Sequence, residues 1–211
     1  MADEDPTLLV LHAVRLLGAA DAPAVERRFG VPRAAAAELL LDGEAYGWVR
    51  RVCPDPDPAW TLTDAGRTQG ERLLTSNLDA RDARAAVADA HRDLLDLNGR
   101  FLAACTRWQI RPLPGDPLAA NDHTDLRWDD AVLAELAALG RRLEPVGARL
   151  ATALPRCDGY PRRYSAALAR VERGETRWVD APGIDSCHAV WFELHEDLIA
   201  TLALRRGDPG A

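Results

Sequence analysis

Two short runs of strand-forming residues, WVRRV at positions 48–52 and AWTLT at 59–63, stand in a chain whose other periodic segments have the three-to-four spacing of helices. An isolated two-stranded hairpin is marginal in water, so this one must pack as an accessory to helices. The residues between the runs, CPDPDP, hold three prolines and two aspartates and form the hairpin's tip. Proline there is stiff, and aspartate repels phosphate.

The helices around the hairpin announce their ends. Asp5 is placed to cap a first helix with Pro6 at its first position, Leu8, Leu9, Leu11, Val14 and Leu17 supply its apolar face, and Gly18 stops it. Asp21 caps a second, APAVERRF, closed by Gly30. VPRAAAAELLLDGEAYG is a third, and Thr63 caps a fourth in LTDAGRTQGERLL. The pattern breaks around Thr75, Ser76 and Asn77, which places a domain boundary there: residues 1–76, then 77–211.

Beyond it the chain reads as a bundle of about four helices. From Asp79 to about Trp108 the positions Val87, His91, Leu94, Asn98, Phe101, Cys105 and Trp108 alternate in fours and threes, a packing seam with two polar members. The segment from Gln109 to Leu126 carries three prolines and reads as a long loop, of a length that is often functional. A second long helix runs from about Trp128 to Leu154 with Pro145 inside it, where a kink is expected. A shorter one spans Pro161 to Arg173, and the last runs from Asp185 or Ser186 to a stop at Gly207. That last helix is apolar on most of its circumference, so it is central in the bundle or in a dimer interface.

Composition narrows the function. With 47% hydrophobic residues the 211-residue chain can bury a core, and its net charge of -7 argues against binding nucleic acid through bulk positive charge. All 26 basic residues are arginine, so any phosphate contact must be local. Cys53, Cys105, Cys157 and Cys187 form no CxxC pair, which excludes a zinc ribbon and leaves reduced, mostly buried thiols. The first residues have no basic stretch before their short apolar run, and no run reaches the roughly 18 apolar residues of a membrane span. A cytoplasmic location is expected.

The run AVERRFGVPRAAAAELLLDGEAYGWVRRV, continued by WTLTDAGR, resembles the winged-helix domain of MarR-type bacterial transcriptional regulators. The matching features are the Gly30-Val31 turn, Tyr46-Gly47-Trp48-Val49 before the wing, and Leu62-Thr63-Asp64-Ala65-Gly66-Arg67 after it. They cover about the first third of the chain. The resemblance implies a homodimeric regulator that binds double-stranded operator DNA, with the third helix in the major groove. Arg33, Ala34 and Ala35 then face the groove, while Arg27, Arg28, Arg50 and Arg51 are the candidate phosphate contacts. The C-terminal part resembles actinobacterial winged-helix proteins of unassigned activity. Its phrases RWQIRP, NDHTD and DSCHAVWFELHEDL carry no mechanism.

A small-molecule effector pocket is one reading of that C-terminal part, with Trp108, Trp191 and Phe192 as walls and His91, Arg111, Asn121, His123, His188 and His195 as polar contacts. The other reading makes these residues core and caps. No metal is expected, since His188 and His195 lie roughly 10 Å apart along one helix. No cofactor and no catalysis are expected either, because no nucleophile elbow or phosphate loop is present. The competing function is a winged-helix protein-interaction adaptor that has lost strong DNA binding.

Overall fold

The computed structural model describes residues 4–53 (Cys53 by its backbone alone) and 58–204. Among them eight α-helices and one antiparallel pair of strands follow in the order α1 (Pro6–Leu17), α2 (Ala22–Phe29), α3 (Arg33–Ala45), β1 (Val49–Cys53), β2 (Ala59–Leu62), α4 (Asp64–Ala80), α5 (Arg84–Gln109), α6 (Leu126–Ala153), α7 (Tyr160–Val171) and α8 (Cys187–Leu202). The chain is mainly helical, as its periodicity predicts. No helix among the described residues is long and apolar enough to cross a membrane. The hairpin tip, residues 54–57, lies outside the described residues, and with it the acidic tip expected to repel phosphate.

Side-chain caps set most of the helix starts. Asp5, Asp21, Thr63, Asp125 and Ser186 each accept a hydrogen bond from an N–H of the following turn, at Thr7, Ala24, Gly66, Arg127 and Ala189. In the hairpin Val49 pairs with Leu62, Arg50 with Thr61 and Arg51 with Trp60, and an irregularity follows between Arg51 and Cys53. Ala20 joins β2 from outside, exchanging both backbone hydrogen bonds with Trp60 at 2.9 Å. A single residue thus acts as a third strand. Behind the hairpin, α4 crosses so closely that a Cβ at Gly66 would lie 1.8 Å from the Trp48 carbonyl oxygen. That contact is what the glycine in LTDAGR is for.

Several boundaries differ from the sequence reading. No helix break occurs at residues 75–77: Leu74 and Leu78 are buried one turn apart, so the inner face continues while Ser76 points to solvent, and α4 runs on to Ala80. The chain turns instead at Asp82, whose φ is 49°. The long loop is tied down by bridges between Ile110 and Ala120 and between Leu113 and Asp116. Helix α6 starts at Leu126 and continues through Pro145. Helix α8 stops at Leu202, short of Gly207, because Ala203 adopts a left-handed conformation and its N–H, with that of Leu204, turns back to close the last turn.

The apolar circumference of α8 is used within the chain, since it packs against α1, α4, α5 and α7. Along α5 it runs antiparallel: His195 stacks on His91 and Trp191 lies flat on Phe101, with ring centroids 4.3 Å apart. The Trp191 Nε1–H donates to Asn98 Oδ1 at 3.0 Å, which satisfies one polar member of the seam. One core cluster fills the bundle of α5 to α8 and a second lies between α1, α2, α3 and the hairpin. A small third cluster, Leu8, Leu74 and Ala200, connects α1, α4 and α8.

Candidate functional site

The surface formed by α3 and the hairpin carries most of the residues predicted to meet DNA. Arg33 extends into solvent with 64% of its side chain exposed, and its Nε lies 3.7 Å from Glu26. Glu26 also accepts from the Arg33 backbone N–H at 3.2 Å, so a carboxylate already occupies the start of α3, which has no side-chain cap of its own. Ala34 is exposed, Ala35 half-buried and Arg50 exposed. Arg51 donates to Glu44 Oε2 at 3.1 Å and lies over the Trp60 ring. Around these residues the same surface presents Leu41, Tyr46 and Val52 to solvent, with Glu38 and Asp42 beside them.

The other two arginines of the predicted set point elsewhere. Arg28 turns inward, with 6% of its side chain exposed, its Nε on the Glu193 carboxylate and its guanidinium over the rings of Phe29 and Tyr160. It has no solvent face to offer a phosphate. Arg27 is exposed, on the wall of a cleft between α2 and α7.

The residues predicted to form an effector pocket fall into three groups. At the end of α5, Asn121 donates to the Trp108 carbonyl at 3.0 Å and to Asp129 Oδ1 at 2.8 Å, and His123 Nδ1 lies 2.9 Å from Asp129 Oδ2 over the Trp108 ring. His123 has a φ of 57°, and Arg111 holds Asp122 and Asp125. These contacts pin the loop to the helices. His91 and His195 stack on each other, and burial, helped by the His195 charge, holds His91 below its ordinary value. His188 packs between Phe192 and Phe101, next to Trp191.

What the sequence reading missed is a centre of buried charge where α1, α4, α7 and α8 meet. Asp197, fully buried, lies 2.9 Å from His12 Nε2, accepts from Tyr160 Oη at 3.0 Å and from Thr201 Oγ1 at 3.1 Å, and stands 3.6 Å from Arg156. Arg156 in turn reaches Thr201, Asn77 and Glu4. Burial opposes ionisation of Asp197, but the hydrogen bond from His12 and the charges of Arg156 and Arg28 prevail and hold it below the usual carboxylate range. For His12 burial prevails over the pull of Asp197 and lowers its pKa, so near neutrality we take it as the imidazole donating to an ionised carboxylate. Next to this centre, Glu193 accepts from Arg28 and from both Nη atoms of Arg163, which also holds Asp185. The signal was visible: His12 interrupts the apolar face of the first helix, and Glu193 and Asp197 interrupt the last.

At the described cysteines burial disfavours the thiolate. Cys105, Cys157 and Cys187 are free and buried, and burial pushes Cys105 and Cys187 up to about 12. The Cys53 thiol lies outside the described residues. Comparison of the chain with family models, with curated proteins and with solved structures finds no match.

Proposed function

We propose that residues 6–80 work as a winged helix and that the chain is a DNA-binding transcriptional regulator acting as a homodimer on a palindromic operator. The observation that carries this reading is the hairpin: β1 and β2 pair antiparallel, Ala20 adds a one-residue third strand, and α3 lies between the Gly30 turn and β1. In that arrangement α3 enters the major groove with Arg33, Ala34 and Ala35, while Arg50 and Arg51 reach the backbone from the hairpin. With Arg28 buried, affinity rests on few charges. Two backbone-reaching arginines per copy correspond to a slope of roughly −4 in log K against log salt for a dimer.

Glu26 works against binding, because its carboxylate holds the N–H that a phosphate would take. In a mobility-shift titration against the DNA upstream of its own gene, at about 50 mM salt, Arg33→Ala loses about tenfold in affinity and Glu26→Gln gains. A wild-type chain that forms no specific complex under these conditions defeats the proposal. A second copy would use the C-terminal half, where Leu113, Leu118 and Leu126 are exposed. One observation favours a second reading, a protein-interaction adaptor: Leu41, Tyr46 and Val52 lie exposed among carboxylates on the surface that should meet DNA. The same titration separates the two.

A further inference from the structure

Between the N-terminal helices and the α7–α8 end of the bundle lies an open cleft of about 1130 Å³. One wall is the end of α1 and the outer side of α2; the other is the start of α7, the loop at Ile184 and Asp185, and the first turns of α8. Arg15, Arg27, Arg28, Arg162 and Arg163 line it, against Asp158, Asp185, Glu193 and Glu196. Most of the carboxylates are already taken: Glu193 by Arg28 and Arg163, Asp185 by Arg163, and Glu196 by Arg15. Arg27 and Arg162, both exposed on the lining, have no ion pair among the described residues.

Two further features point to the same ligand chemistry. Helix α7 begins in this cleft with no side-chain cap, so its positive end faces the space that Arg162 borders. Leu17 and Phe192, both large and apolar, are 40% and 45% exposed on the lining. Solvated arginine alone does not call for such walls.

We propose that this cleft binds a small organic anion, its phosphate or carboxylate held by Arg27, Arg162 and the start of α7, and its apolar body on Leu17 and Phe192. A bidentate guanidinium contact suits either headgroup. The ligand spans the two halves of the molecule. Its binding does not depend on whether the chain binds DNA, and the test uses none.

Isothermal titration of the full chain at low ionic strength, with phenyl phosphate and phenylacetate as probes and phenol and inorganic phosphate as controls, decides it. At least one aryl anion is expected to bind with Kd below about 1 mM and about tenfold more tightly than either control. The paired Arg27→Gln, Arg162→Gln variant, altered at surface positions, should keep its melting temperature and lose about tenfold in affinity. The proposal is overturned if neither aryl anion binds, if phenol or inorganic phosphate binds as well as they do, or if the variant binds unchanged.

Discussion

At His12 and Asp197 the pH response follows from which partner carries charge. Burial holds His12, His91 and His188 below the ordinary histidine value, whereas unfolded they titrate near ~6.5. Between the folded and unfolded values the unfolded chain binds more protons. Stability contributed by the neutral imidazoles is therefore present above ~6.5 and is lost as the pH falls below it. Asp197 has the same sign lower down: its folded pKa is depressed, so its contribution holds above ~4 and is lost with further acid. Urea midpoints at pH 7.5, 6 and 5 should fall in that order, and a flat or rising series contradicts the assignment. The residue types were legible, since a histidine within an apolar stripe and an aspartate within an apolar helix both call for a partner. The partners were not, because His12 and Asp197 are separated by 185 positions and no local rule joins them.

Among the elements, those defined by short-range chemistry were legible and those defined by a neighbour were not. The side-chain caps at Asp5, Asp21 and Thr63 appear as the sequence reading places them, and of Asp185 and Ser186 it is Ser186 that caps α8. Ala20 as a strand did not, because one residue has no period and its pairing depends on Trp60. The break expected at Thr75 to Asn77 followed polarity, whereas the helix follows Leu74 and Leu78. The residues named for an effector pocket do not all converge, for a reason of length: His91 and Trp108 share a seam on α5, but seventeen helical steps separate them by roughly 25 Å. A shared face is not a shared site. The close crossing of α4 and the hairpin gives a sharp test, since Gly66→Ala places a methyl group on the Trp48 carbonyl. The expected loss is about 3 kcal/mol in unfolding free energy, read by denaturant titration. A neutral substitution there would mean that α4 does not lie where it is described.

On the scale of the molecule, the two core clusters meet through Leu8, Leu74 and Ala200 and through the charged centre on Asp197. Helix α4 runs from the hairpin into that junction without a break. The halves should consequently melt together. Asp197→Ala removes the fully buried carboxylate beside Arg156, which then keeps only Glu4 as a counter-charge among the described residues, and leaves the His12 Nε2–H without its acceptor, at a cost of about 3–5 kcal/mol. Hydrogen exchange at the most protected amides of α3, in the N-terminal half, and of α5 and α6, in the C-terminal half, should report the same loss of protection. A loss confined to the C-terminal amides would show that the halves are independent. The junction also imposes an order in time. During synthesis at about 5–20 residues per second, the 185 positions between His12 and Asp197 take on the order of ten to forty seconds to emerge. Until then the first helix has no acceptor for its imidazole and no Ala200 to cover Leu8. Until α8 emerges, the nascent N-terminal half therefore carries its own core with one buried junction still open to chaperones and proteases.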